Sequence, residues 1–112
     1  MLSILFSYVG FQRDPQKMTF SVGVLSNMSA FQYLIMDWRI WKNSELSVQK
    51  QLFESLSTIV DSKHEFSSFN IKRFREANVT MQLLWLLVKE ESTISTSHAQ
   101  NIINILYQLM DS

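Results

Sequence analysis

The residue types that do chemistry are few in this chain of 112 residues. There are two histidines, His64 and His98, and no cysteine. Both histidines fall in stretches that read as polar connections, where a solvated ring is the ordinary state. With no Cys and no His-x₃-His spacing, a zinc site has no ligand set. The missing cysteines also exclude a disulfide scaffold and a thiol nucleophile. Glu90-Glu91 is a carboxylate pair, but sequence neighbours on a helix end point in different directions. Serines are frequent, yet none sits in a G-x-S-x-G context and no base is placed to activate one. Gly10 and Gly23 lie too far apart for a phosphate-cradling loop. No catalytic residue, metal ligand set or cofactor-binding motif is expected, and the chain does not read as an enzyme.

Binding chemistry has more to work with. Asp37 stands between Met36 and Trp38, in a segment apolar on two sides. A partly buried carboxylate needs a partner, and Arg73 and Arg75 are the candidates for a structural ion pair. Lys72, Arg73 and Arg75 form a small basic cluster offset by Glu76, fewer cations than an anionic lipid surface normally recruits. Trp38, Trp41 and Trp85 are candidate protein-interaction residues, because tryptophan is enriched where partners bind. The competing reading of such residues is core.

These side chains must be positioned by helices. Two glycines and one proline leave few places for tight turns. From residue 27 to 42, Phe31, Leu34, Ile35, Trp38 and Trp41 share one helical face, with Tyr33, Met36 and Ile40 opposite. The segment from Glu45 to Asp61 is cleaner: Val48, Leu52, Phe53, Leu56, Ile59 and Val60 form one stripe, and Asn43 or Ser44 can cap it. A short helix is predicted over Phe69–Glu76, capped by Ser67 or Ser68, with Phe69, Ile71 and Phe74 inward. Asn78 suits the left-handed position that follows. The helix from Thr80 to Glu90 carries Leu83 to Val88 in succession and is expected to be buried on most sides. Ser97-His98-Ala99-Gln100 reads as a capping box for a helix to about Met110, with Ala99, Ile102, Ile103, Leu106, Leu109 and Met110 inside.

Residues 1–26 are the least determined. Leu2 to Val9 fits two helical turns, and Arg13-Asp14-Pro15 is a breaker. Met18, Phe20, Val22 and Val24 alternate as a strand does. No second strand stands out to pair with them, so helix is expected from Lys17 onward, running through Gly23 into the next segment. The fold expected is all-α: a single armadillo/HEAT-like helical domain over residues 1–112, an α-solenoid fragment of about five or six helices. The two helix pairs recur about fifty residues apart, near a HEAT or armadillo period with one extra short helix.

Ten basic and ten acidic residues give no net charge, which speaks against a nucleic-acid binder, since phosphate backbones require clustered excess base. Charged residues are 18% and aromatics 12%, a surface short of solvating groups that implies a partner. The apolar start has no basic region and no cleavage site, so a leader peptide is not expected. The run Leu83 to Val88 is far too short to span a membrane. Cytoplasmic is the expected location. The sequons at Asn27 and Asn78 adjoin apolar helical segments and read as chance matches.

Three patches carry a resemblance. LIMDWRIW (Leu34 to Trp41), SVQKQLFESL (Ser47 to Leu56) and FNIKRFREANV (Phe69 to Val79) resemble the armadillo-like helical region of the large BEACH-domain proteins. Within that family the lysosomal trafficking regulator branch is the nearer and neurobeachin-type proteins the more distant. The resemblance runs over about residues 8 to 90. It implies a piece of a very large cytosolic scaffold acting in vesicle trafficking and lysosome-related organelle size, with no catalytic residue to carry over. The partners it implies are other proteins or flanking helical repeats, with membrane association only through the parent scaffold. The alternative is a stand-alone helical adaptor that homodimerises through its apolar faces. A cut solenoid should show open apolar ends, either at Leu2, Ile4, Leu5 and Phe6 or around Trp85.

Overall fold

The computed structural model describes residues 2–90 and 94–111, with only the backbone of Asp111. Helix α1 (Leu2–Val9) buries Leu2, Phe6 and Val9, a spacing of four and then three that lines one face. It stops at Gly10, whose φ of 121° no side-chain-bearing residue adopts readily. A Cβ there would lie 2.1 Å from the Val24 carbonyl oxygen, and one on Gly23 would lie 2.2 Å from the Gly10 carbonyl oxygen. Both glycines of the protein are thus spent on one backbone-to-backbone crossing.

Between them lies an antiparallel hairpin, β1 (Phe11–Asp14) and β2 (Thr19–Gly23). The all-α expectation is corrected here: Lys17 to Gly23 is turn and strand, not helix. The breaker at Asp14-Pro15 is the start of the hairpin turn. Asp14 Oδ1 accepts from the Gln16 N–H at 2.9 Å, and Met18 takes a left-handed φ of 60°. The register skips Ser21, with Gln12 facing Val22 and Arg13 facing Phe20, a bulge that splits the apolar alternation. Phe20 goes in, stacked on Phe6 with centroids 5.4 Å apart, while Met18 and Val22 stay exposed.

The expected continuous helix over 27–42 is broken into three pieces. Asn27 caps a single turn, α2 (Met28–Ala30), accepting from the Ala30 N–H. A π-helical turn (Phe31–Ile35) follows, then α3 (Trp38–Trp41). Asp37 leaves the helical region and caps α3 through the Arg39 N–H, as a short acidic side chain favours. The widened turn frees the carbonyls of Leu34 and Ile35, and Trp41 Nε1 donates to both at 3.1 Å.

The rest is a four-helix bundle. Helix α4 (Leu46–Val60) buries the predicted stripe, with Val48 half-buried at its start. It packs against β2 and the two later helices α5 (Ser67–Glu76) and α7 (Thr96–Asp111), while α6 (Val79–Lys89) packs between α5 and α7. Phe31 meets Phe74 across the bundle with centroids 5.0 Å apart. Asn78 adopts the expected left-handed conformation. Neither Ser67 nor Ser68 caps α5, which follows Phe66 with no side-chain cap; the Ser67 hydroxyl instead donates to the Val60 carbonyl. The capping box shifts by two residues: α7 starts at Thr96, and Ser95 Oγ accepts from the His98 N–H. Ile103, Met110 and Phe69, expected inside, are exposed.

Side-chain amides bind the layers together. Asn70 is fully buried; its Oδ1 accepts from the Leu25 N–H and its Nδ2 donates to the Ile59 carbonyl, each at 2.9 Å. Gln49 Nε2 donates to the carbonyls of Trp41, Lys42 and Ser44. That leaves Gln49 Oε1 as an acceptor, which His98 Nε2 approaches at 3.2 Å. The radius of gyration, 12.7 Å, and extents of 34 × 31 × 26 Å are those of a closed bundle of this size. The described chain is mostly helical with one small sheet.

Candidate functional site

Helix α6 was expected to be buried on most sides, and it is buried on one. Val79, Leu83 and Leu86 face the core. Met81, Leu84, Trp85 and Val88, at i, i+3, i+4 and i+7, form a second apolar stripe on the opposite side, and it is exposed. Residues 36–42 rise beside this stripe and turn it into a groove of about 680 Å³. Met36 and Trp38 line it from one side and Met81, Leu84, Trp85 and Val88 from the other. The break at Asp37 makes the wall: a continuous helix over 27–42 would not turn there. The volume lies within the roughly 300–1,000 Å³ of ordinary concave binding sites.

The rim is charged. Arg39 grips Asp37 in a bidentate pair, Nε to Oδ1 at 3.0 Å and Nη2 to Oδ2 at 2.9 Å. The Arg39 side-chain bonds, aided by its backbone N–H and its charge, hold the Asp37 carboxyl below the usual carboxylate range against a smaller desolvation effect. Lys42 Nζ reaches Glu90 Oε1 at 3.7 Å, tying α3 to the end of α6. In both pairs the cation is the outward partner. The side chains of Arg39 and Lys42 are 90% and 45% exposed, those of Asp37 and Glu90 21% and 16%. Lys89 adds a third exposed cation.

The pairing expected for Asp37 is therefore corrected. Its partner is Arg39, two residues on, because the capping turn brings both onto one loop. Arg73 pairs instead with Glu76 at 3.4 Å and lies over the Phe69 ring. Arg75 donates to the Leu109 carbonyl, joining α5 to the end of α7. Of the three tryptophans, Trp38 and Trp41 are buried and Trp85 is half exposed, at 51%. Trp38 packs on Phe53, which packs on His98, a row of rings running from the groove floor into the bundle. The indole N–H of Trp38 and the side-chain oxygen of Gln82, another groove residue, are buried without a hydrogen-bond partner among the described residues.

The two histidines are not solvated loop residues. His64 donates from Nε2 to the Ser21 carbonyl at 2.6 Å, while its Nδ1 accepts from the Phe66 N–H at 3.0 Å. It thereby locks the α4–α5 connection onto the bulged strand. His98 is 2% exposed; with Gln49 Oε1 as acceptor, Nε2 carries the proton and Nδ1 is left without a partner. Burial pushes the His98 ring below the ordinary histidine range, and Glu54 opposes that with a smaller upward pull. Among the described residues no three His, Asp or Glu side chains converge as a metal site. Nor is any described helix long and apolar enough to cross a membrane.

The apolar ends expected of a cut solenoid are half present. Leu2 and Phe6 are buried, Phe6 against Phe11 and Phe20 of the hairpin, and only Ile4 of that group is well exposed, whereas the Trp85 face is open. Sequence reading passed over Arg39, Lys42 and Gln82, gave Met36 only as part of a second apolar face, and placed Met81, Leu84 and Val88 in a helix to be buried. The available signal was the absence of any polar side on Leu83–Val88, which fits a docking face as well as a core.

No protein-family model matches the chain, and no solved structure matches it. Among characterised proteins the chain is similar to the human lysosomal-trafficking regulator, with 28% identity over 64 residues. That stretch is 57% of this chain and 2% of the regulator's length, so the chain spans a small fraction of the protein it resembles.

Proposed function

We propose that this chain is a protein-interaction scaffold segment serving vesicle and lysosome trafficking, acting through contact and not catalysis. The observation that carries the reading is the groove between α3 and α6, an apolar face with no partner among the described residues. The partial similarity to the lysosomal-trafficking regulator supplies the process. The armadillo-like character belongs to the same proposal: consecutive packed helices joined by short connections leave one helix face free, as a repeat does toward its neighbour. Both histidines are engaged in structural hydrogen bonds, which supports binding over catalysis.

The test is expression of the chain in cultured cells with measurement of lysosome diameter. A segment that competes for a scaffold's partners changes organelle size, and Trp85→Asp at equal expression abolishes the change. Unaltered lysosomes at levels where the protein is folded would reject the trafficking role. The alternative, a stand-alone adaptor that homodimerises, is favoured by the closed hairpin end, which leaves α6 and the exposed Ile103, Tyr107 and Met110 of α7 as the apolar surface for a two-fold contact. Light scattering on wild type and Trp85→Asp decides: a dimer that the substitution dissolves supports that reading.

A further inference from the structure

Resting on the interaction-surface reading above, we infer that the α3–α6 groove receives an amphipathic helix flanked by acidic residues. The ridge of Met81, Leu84, Trp85 and Val88 has the spacing that interdigitates with another helix's apolar face. No hairpin residue lines the groove, so an extended peptide would find no strand edge there to pair with. The rim selects the charge. Arg39, Lys42 and Lys89 present three cations outward, while the anions that pair with Arg39 and Lys42 are turned in. Complementary charge around an apolar centre is how interfaces choose and orient partners. Trp38 lines the groove with an indole N–H, a donor, that has no acceptor among the described residues.

Charge also argues against the other occupants. In a two-fold contact between copies the same patch meets itself, setting a cationic rim against a cationic rim. A flat anionic membrane does not enter a trough, and three cations are fewer than the four to eight or so that lipid headgroups recruit.

The probe is a synthetic peptide with leucines at i, i+3, i+4 and i+7 and two glutamates at each end, compared with a lysine-flanked version and a scrambled one. Binding to the full chain is followed through its three indole N–H resonances. The expected result is movement of the Trp38 and Trp85 signals with that of Trp41 unmoved, because Trp41 is bonded internally. The acidic peptide should bind on the order of tenfold more tightly than the lysine-flanked one at low salt, a preference that salt screens. Arg39→Glu should remove the preference, and Trp85→Asp the binding; both residues are exposed, so circular dichroism should show an intact fold. Equal binding of the two peptides, or of neither, overturns the inference. So does a dimer that Trp85→Asp dissolves, or binding only to vesicles of phosphatidylcholine and phosphatidylserine. If the peptides fail while Trp85→Asp still cancels the effect on lysosomes, the scaffold reading stands and the acidic helix is rejected. If the peptides bind and lysosomes never respond, the trafficking role falls and the groove assignment survives.

Discussion

At the residue scale, single polar side chains hold seams that apolar packing alone would leave loose. Asn70 is the clearest case, with its donor and its acceptor each satisfying a buried backbone group on a different element. Asn70→Ala leaves the Leu25 N–H and the Ile59 carbonyl unpaired in the core, and each such group costs about 1–3 kcal/mol. A loss of roughly 2–4 kcal/mol in urea denaturation is expected; a loss below about 1 kcal/mol would mean water replaces the amide. His98 makes a prediction in pH. Its ring is held below the ordinary value by burial when folded and regains that value when unfolded. The unfolded chain therefore binds the proton first, and stability is full above about pH 6.5 and declines as pH falls below it. Denaturant midpoints should drop between pH 7.5 and 5.5, with a slope of at most about 1.4 kcal/mol per pH unit from this group. His98→Gln should flatten that part of the profile. These roles were not legible, because a histidine or asparagine in a polar stretch looks the same in sequence whether it faces solvent or closes a seam forty residues away.

At the element scale, α6 separates core from surface on a single helix. Leu83→Ala should cost about 2–5 kcal/mol as a cavity-forming truncation. Trp85→Ser, just over half a turn further round, should change stability by no more than about 0.5 kcal/mol. Matched melts of the two variants check which stripe is inside; comparable losses would mean both are. The helices α4 to α7 were readable from the periodicity of leucines, isoleucines and phenylalanines, since burying one stripe is what sets their spacing. Two elements were not. Strand β1, Phe-Gln-Arg-Asp, has one apolar residue, and β2 was discounted for want of that partner. The π turn at Phe31–Ile35 adds a residue to a helical turn without changing its composition, so no pattern announces it. Asp37 carried a signal that was misassigned: a short acidic residue before Trp-Arg-Ile-Trp is a helix cap, and a cap ends the preceding helix. The groove wall depends on that cap.

At the scale of the whole molecule, cross-ties run between every layer: Gly10 against Val24, Ser55 to Phe20, Asn70 to Leu25, His98 to Gln49. A molecule so tied should unfold in one transition, with ellipticity and tryptophan fluorescence tracing the same curve; two separated transitions would show the hairpin layer to be independent of the bundle. Gly10→Ala tests the tie of α1 and the hairpin to the rest. With a φ of 121° and a carbonyl oxygen 2.1 Å from the new Cβ, it should cost at least about 1–3 kcal/mol and shift the single transition as a unit. The broad expectation of a helical body with one apolar face left over was legible in composition, because few charges and many aromatics cannot all be hidden in a chain this short. Which face was left over depended on the hairpin covering α1, and the hairpin was the part that could not be read.

The amides of Phe20 and Leu25 are held by side chains 35 and 45 residues away. An amide inside a helix regains solvent when its own turn frays. These two are released only when a loop spanning a third of the chain reopens, so their exchange with deuterium is a clock for closure of the fold. They should rank with the slowest amides in the protein although one lies in a short strand and the other in a connection. By that measure the least regular part of the chain would be among its most durable.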